Sequence, residues 1–353
     1  MVHDAHARPP DALRELFKQR RKQCLASIDA EHGIIDPQRP GADSTSLLSP
    51  PTQFQHGEIK CLERIYANDV LGYDLSLAPV VEAPNDGFEV NALPGLYVLP
   101  SLLSPRMQIA LLEKLLHRDL NNPAHKTNLH LHYDISYPVS QDGREKHEEV
   151  AADCSFFGVD TTSLLTPKDP AIHKPITIAQ MLESKLRWTT LGGQYDWTNK
   201  VYPDEVPPAF PPDIAALLKD LFPKVDAQAA ILNFYSPGDT LSVHKDVSEE
   251  CQRDLISISI GCDAVFIVGN EDGSETATVR LRSGDAVVMS GESRFAWHAV
   301  PKILSDTCPV WLQDWPNIPH GSKYQVWQGW MRNKRINLNV RQMQESYPSA
   351  RNP

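Results

Sequence analysis

The sequence predicts a mainly β protein with flanking helices (α+β): a jelly-roll core preceded by an extension that carries helices and a lid. From Ala229 onward, short β-rich runs arrive at close spacing: AAILNFY, TLSVHKD, LISISIG, AVFIVG, TATVRLR, DAVVMS and RINLNVRQ. Turn residues punctuate them (Pro237-Gly238-Asp239, Gly269-Asn270, Ser283-Gly284-Asp285), and several short strands so marked indicate a sandwich or barrel. Before Ala229 the clear periodicity is helical. A chain of 353 residues can bury a sizeable core, and 41% hydrophobic with 22% charged residues is a globular composition.

Taken in order, Pro10–Ile28 reads as an amphipathic helix, with Leu13, Leu16, Phe17, Cys24 and Ile28 at helical spacing. Residues 36–51 have linker composition, and residues 1–85 as a whole are expected to be helix plus a Pro/Ser-rich, partly disordered linker. Residues 86–225 form the expected extension with its substrate lid, 226–346 the jelly roll and 347–353 a tail. Within the extension, FEVNALPGLYVL (88–99) reads as strand, turn and strand. A helix follows, with Ser104 as N-cap, Pro105 at its first position and Leu111, Leu112, Leu115 and Leu116 on its apolar side. Residues 121–170 are loop-rich with a possible strand at Leu129–Ile135. LRWTTLGGQYDW (186–197) has the aromatic and glycine content of a functional loop flanked by strands, and Pro211–Phe222 reads as a short helix. Ser305–Gln325 looks like an insertion between the last core strands.

Composition also narrows the setting. No apolar stretch approaches the roughly 18–20 residues a membrane span needs, so no membrane partner is expected. Cysteines 24, 61, 154, 251, 262 and 308 contain no C-x-x-C pair, which argues against a disulfide scaffold or zinc ribbon and suits a reducing compartment. The N-terminus lacks a secretory h-region, and Asp4, Asp11 and Glu15 disfavour a mitochondrial transit peptide. Nucleus or cytoplasm is the expected location, with the mitochondrion a weaker alternative. A net charge of −11 is unfavourable for sequence-independent phosphate binding. Residues 331–351 are a local exception, with five Lys/Arg and one acid.

The chemistry concentrates in His244-Lys245-Asp246, His298 and the run from Arg335 to Arg341. Two imidazoles and a carboxylate are the ligand set of a facial-triad ferrous site, which leaves positions open for a co-substrate and oxygen. Residues two apart on a strand share a face, so His244 and Asp246 can share one metal. The bland alternative is a surface strand pair or a turn salt bridge. Arg335 and Arg341 share a face with Asn337 and Asn339, alternating with Ile336, Leu338 and Val340. Buried arginines grip carboxylates bidentately, so this row suits a dicarboxylate better than a solvated basic edge. Asn233 and Tyr235, also on one face, are apt for the same carboxylates. Together these residues point to an iron- and 2-oxoglutarate-dependent dioxygenase using Fe(II), 2-oxoglutarate and O2. His130 and His132 lack an accompanying carboxylate or cysteine pattern and are read as structural or lid residues. His320 has no assigned role.

The same residues resemble the AlkB dioxygenases. Asn233-Phe234-Tyr235-Ser236-Pro237-Gly238, Leu241-Ser242-Val243-His244-Lys245-Asp246 and Ser257-Ile258-Ser259-Ile260-Gly261 carry the likeness. Ser283-Gly284-Asp285, Ser290-Gly291-Glu292-Ser293-Arg294, His298 and Arg335-x-Asn337-x-x-x-Arg341-Gln342 continue it. The family's last motif normally has Thr where this chain has Asn339. LRWTTLG with Tyr195-Asp196-Trp197, Pro94-Gly95-Leu96-Tyr97 and the insertion after His298 are similar to a fungal-type member of the first eukaryotic AlkB homologue subgroup. The resemblance implies a double-stranded β-helix core, His244, Asp246 and His298 as metal ligands, and Asn233, Tyr235, Arg335, Asn337 and Arg341 around 2-oxoglutarate. It implies oxidative demethylation of nucleic acid, with N-methylated adenine in DNA or tRNA the substrate class and formaldehyde, succinate and CO2 released. Trp188 and Tyr195 take the base-stacking lid positions, against a bland reading as core packing. Ser248 stands where bacterial members carry an acid that reads the base, and the acidic loop Gly269–Glu275 stands where many relatives place an arginine. Both departures put bacterial alkyl-repair specificity in doubt. Two other functions remain open at this point: demethylation or hydroxylation of a basic protein tail such as a histone, and a catalytically silent nucleic-acid-binding module.

Overall fold

The computed structural model of the chain describes residues 6–39, 47–49, 87–138, 155–196, 201–203, 205–317 and 321–345. Most of the segment read as a linker, His320 and the tail after residue 345 lie outside them. The expected N-terminal helix is two: α1 (Asp11–Lys22) and α2 (Leu25–Ala30). The break has a cause in side-chain demand. Gln23 and Cys24 turn extended, which brings Glu31 back onto the buried Arg20 guanidinium at 2.5 Å. β1 (Ile34–Ile35) follows, then β2 (Phe88–Glu89) and β3 (Leu96–Leu99), the two strands expected from FEVNALPGLYVL.

α3 (Pro105–Leu112) starts as expected, with Ser104 Oγ accepting from the Met107 amide at 3.4 Å and Pro105 at the first position. A cap of this kind stabilises a helix by about 1 kcal/mol. Leu111, Leu112, Leu115 and Leu116 are all buried. The strand expected over 129–135 forms only as β4 (Tyr133–Asp134); residues 128–131 make a tight helical turn instead, capped by Thr127. The Thr127 hydroxyl accepts from a backbone N–H, and His130 Nδ1 accepts from the Thr127 amide at 2.8 Å. That local pairing satisfies backbone groups a strand would have needed elsewhere. β5 (Leu164–Pro167) and β6 (Ile176–Thr177) complete a small antiparallel sheet with β4.

β7 (Trp188–Gly192) lies inside the segment read as a loop, because its residues pair along β8 (Ala229–Tyr235). α4 (Pro212–Leu221) lies between them in sequence. The remaining strands are β9 (Leu241–His244), β10 (Leu255–Gly261), β11 (Ala264–Gly269), β12 (Thr276–Leu281), β13 (Ala286–Met289), β14 (Trp297–Ile303) and β15 (Arg335–Arg341). They divide between two sheets, ordered β2-β3-β13-β10-β15-β8-β7 and β1-β12-β11-β14-β9, alternating from β8 onward except for the hairpin β11–β12. From β8 onward this is the expected jelly roll, with helices and short strands extending both sheets.

Two additions shape the site. α1 lies on the outside of the smaller sheet, where Leu16 and Phe17 pack with Val243, Val265, Ile267 and Ala299. Val243 and Ala299 adjoin His244 and His298, so this apolar layer backs the strands carrying both imidazoles. The insertion after β14 is a packed body rather than a surface loop. Trp311, Leu312, Trp315, Tyr324, Trp327 and Trp330 are buried. The indoles of Trp315, Trp327 and Trp330 donate to Glu113, the Phe157 carbonyl and the Leu182 carbonyl respectively. Buried indoles usually find such acceptors, and these tie the insertion to the extension.

Candidate metal centre and its surroundings

Strand register brings the two imidazoles together. His298 on β14 is the direct cross-strand partner of His244 on β9, and their ring centres lie 4.3 Å apart. Asp246 falls just beyond β9, in extended chain. Lys245 points the other way: its ammonium lies 4.7 Å from the Trp297 ring centre and pairs with Glu271. Anchoring the middle residue fixes the alternation that aims His244 and Asp246 inward. One nitrogen or oxygen from each of His244, Asp246 and His298 lies within 4.8 Å of the others. Among the described residues this is the one such group.

The second ring nitrogens decide what the first can do. His244 Nδ1 donates to the Ser242 carbonyl at 2.8 Å, and His298 Nδ1 donates to the Ala296 carbonyl at 3.1 Å. Each Nε2 therefore presents a lone pair, the tautomer that second-shell acceptors impose on metal-binding histidines. Those Nε2 atoms stand 3.7 and 3.8 Å from the Asp246 oxygens, beyond hydrogen-bond reach. Burial, aided by neighbouring His244, holds His298 down to about 4, so its ring is neutral near pH 7. Burial opposes charge on Asp246, but Arg341, His298 and His244 outweigh it and keep the carboxyl far below the usual range. Two imidazole nitrogens and one carboxylate converging with gaps between them fit a divalent cation.

A buried ionic network supports Asp246. Arg341 Nη2 donates to Asp246 Oδ2 at 2.7 Å, and its Nε lies 2.9 Å from Glu249 Oε1. Arg294 approaches from the other side, donating to Glu249 Oε2 at 3.0 Å, the Asp246 carbonyl at 3.1 Å and the Arg253 carbonyl at 2.6 Å. The Glu249 side chain is only 2% exposed, so both guanidiniums depend on it for charge balance. Asn339, where Thr is usual, approaches the same Asp246 oxygen at 3.5 Å.

The residues expected around a dicarboxylate share one face of the larger sheet. Tyr235 stands opposite Arg335, Asn233 opposite Asn337, and Ser257 and Ser259 opposite Asn339 and Asn337. Arg335 is 1% exposed. It donates to the Cys262 carbonyl at 3.1 Å and Ser259 Oγ at 2.7 Å, while its Nε has no partner. Asp263 is engaged by Arg280 instead, and Asp285 accepts from the Ser101 and Arg282 amides. Arg335 is thus a buried guanidinium that no described carboxylate pairs with directly, although Asp263 and Asp285 attract it from further off, and this is a donor set that a ligand carboxylate completes. Gly261 permits this approach: its φ is +98°, and a Cβ there would lie 2.3 Å from the Lys334 carbonyl.

Trp188 stands opposite Asn233 across β7 and β8, half-buried at the edge of the same face. The Tyr195 hydroxyl lies 3.4 Å from Ser248 Oγ. Tyr195 and Ser248 therefore border the group around Asp246, and Trp188 lies beside Asn233. His130 is structural, its Nε2 2.6 Å from the Tyr137 hydroxyl. Sequence reading missed Glu249 and Arg294 as a linked pair, and it missed Tyr202. The Glu249-Glu250 doublet beside the H-x-D motif was the available signal. The basic run near the C-terminus is also less available than it looked, because Lys334, Arg335 and Arg341 are all buried.

Residues 95–341 match the 2OG-Fe(II) oxygenase superfamily. The chain is 41% identical to the N6-methyladenosine RNA demethylase ALKB1 of Pyricularia oryzae, over 97% of this chain and 98% of that protein. It is 52% identical to the N6-methyladenosine RNA demethylase ALKBH of Cryphonectria parasitica, over 62% of this chain and all of that protein. With the tRNA demethylase abh1 of Schizosaccharomyces pombe, identity is 38% over 76% of this chain and 85% of that one.

Proposed function

Because this chain belongs to the AlkB branch of the 2OG-Fe(II) oxygenase superfamily, we propose that it removes methyl groups from N-methylated adenine in RNA, with tRNA and DNA as neighbouring substrates. Relatives named for RNA, tRNA and DNA substrates support nucleic acid; none of them is named for a histone. The observation that carries the reading is the convergence of His244, Asp246 and His298, with Arg335 on the larger sheet lacking a direct carboxylate partner among the described residues.

Iron with 2-oxoglutarate and oxygen, when bound, supplies the oxidising power to hydroxylate the methyl group, whose hydroxymethyl product sheds formaldehyde. The protein's residues do the rest. His244, His298 and Asp246 hold the metal, and Arg341, itself fixed by Glu249, keeps Asp246 ionised and oriented. Arg335 and Tyr235 receive the distal carboxylate of 2-oxoglutarate, with Asn233 and Asn337 one row nearer the metal ligands. Trp188 and Tyr195 stack on the extruded base, which a duplex would otherwise keep out of reach.

The test is incubation with iron, ascorbate and 2-oxoglutarate alongside total tRNA, polyadenylated RNA, genomic DNA and histones. Mass spectrometry of nucleosides and tryptic peptides then shows which methyl disappears, with His244→Ala as the blank. Loss of N-methyladenosine coupled to succinate is expected. Loss from peptides alone, or equal succinate from the blank, overturns the proposal.

A further inference from the structure

Tyr202 shows a mismatch between its ring and its hydroxyl. The ring is half-buried and the phenol oxygen fully buried; the Arg341 guanidinium is close enough to donate to that oxygen, but no described residue accepts the phenol proton. A hydroxyl turned inward from a partly exposed ring is oriented into the molecule, and an unpaired buried hydroxyl costs about 1–3 kcal/mol. Something on the inner side is expected to complete it.

What lies inward is the group already described. The phenol sits in the field of Arg341, Glu249 and Asp246. Burial pushes its pKa up while Arg341 pulls the other way, so near neutral pH it keeps its proton and can donate it. The backbone builds this position deliberately. Asp196 and Val201 bridge as an antiparallel pair, which sets Tyr195 and Tyr202 side by side with ring centres 5.1 Å apart, edge to face. Gly193 makes room for it: a Cβ there would lie 3.3 Å from the Tyr202 ring. Tyr195 is the expected stacking residue, so Tyr202 borders the same space from the side of Arg341.

We propose that Tyr202 is a specificity-determining residue whose hydroxyl donates a hydrogen bond to a ring nitrogen of the methylated adenine. This rests on the nucleic-acid reading above. Arg341 offers only donors, and one of its terminal nitrogens is otherwise unpartnered. The phenol oxygen can accept from that nitrogen while its own proton faces the base, so a purine acceptor matches it and a second donor does not. A site built around such a bond discriminates strongly, because a base lacking the acceptor leaves the buried hydroxyl unpaired.

The experiment uses the full chain with Fe(II), ascorbate and 2-oxoglutarate, comparing wild type with Tyr202→Phe on an RNA oligonucleotide holding one N6-methyladenosine. The expected split is a fall of about tenfold or more in kcat/KM for the oligonucleotide, with KM for 2-oxoglutarate moving by less than about twofold. Equal melting temperatures check that the phenyl ring still packs. Oligonucleotides with 1-deaza, 3-deaza or 7-deaza N6-methyladenosine then name the acceptor: one of them is slow with wild type and no slower with Tyr202→Phe. An unchanged oligonucleotide kcat/KM overturns the proposal. So does a parallel rise in KM for 2-oxoglutarate, which would assign the phenol to Arg341 and the co-substrate. If wild type removes no methyl from RNA, tRNA or DNA, the functional reading falls and this inference with it; active wild type with an equally active Tyr202→Phe overturns the inference alone.

Discussion

Replacing Arg335 by Met separates a residue kept for its ligand from one kept for the fold. In the free protein the Arg335 charge is buried, and among the described residues two hydrogen bonds, to Cys262 O and Ser259 Oγ, compensate it, with Asp263 and Asp285 attracting it from further off. Burying an ion costs several kcal/mol, and two bonds to a charged group return about 1.5–3 kcal/mol each. These terms oppose each other at similar size, so an apolar side chain of similar length should shift free-protein stability by no more than about 2 kcal/mol in either direction. Ligand binding should respond very differently. Two charge-assisted bonds to a carboxylate contribute roughly 3–5 kcal/mol, so affinity for 2-oxoglutarate should fall by more than about 100-fold. Thermal melting reads both effects. At about 100 times its Kd, 2-oxoglutarate should stabilise wild type by about 2.7 kcal/mol, whereas Arg335→Met at that concentration should gain less than about 0.4 kcal/mol. The reasoning is refuted if the variant keeps the shift, or if the free variant is destabilised as much as one that breaks the Glu249 pairs.

That second variant is Glu249→Leu. It strands the buried Arg294 guanidinium and leaves Arg341 with Asp246 alone, and should lower the unfolding free energy in urea by about 3–5 kcal/mol. His244→Ala should abolish succinate formation and, in a cobalt titration, lower metal affinity by more than the roughly 10–100-fold typical of outer-shell changes. Trp188→Ala should raise KM for a methylated oligonucleotide by about 5–100-fold, the equivalent of losing one base stack, while gel filtration shows an unchanged fold. His130 gives a pH signature. Burial first, and then Lys126 and Lys168, lower it to about 4 from an ordinary value near 6.5. A depressed folded pKa means that this stabilisation is present above about pH 6.5 and is lost as pH falls toward 4. Urea unfolding between pH 7 and 4.5 should therefore show a shallower slope for His130→Gln than for wild type.

The strands from Ala229 onward were legible because period-2 patterning and turn residues are local properties. His244, Asp246, Arg335 and Arg341 were legible because their spacing states which of them share a face. β14 was harder: its inward residues are mixed, and Trp297–Ile303 is buried almost throughout, so no alternation marks it. Pairing decided β7, since its residues become a strand only against β8. The strand expected at 129–135 failed for a local reason, the capping exchange between Thr127 and His130, which a propensity for extended chain does not contain.

By itself, then, the sequence determined the jelly roll and the set of side chains able to hold a metal and a dicarboxylate, because those follow from residue type and periodicity, while its motifs carried the resemblance to the family. Tertiary structure alone decided which of these groups are already engaged. Glu249 joins Arg341 on β15 to Arg294 in the turn before β14, Lys245 ties down an acidic residue from the loop after β11, and Tyr202 turns its hydroxyl inward beside Tyr195. Each of these is a contact between segments distant in the chain or folded back on itself. Charge balance and hydrogen-bond satisfaction in a buried site depend on such three-dimensional neighbours, which spacing along a single strand does not encode.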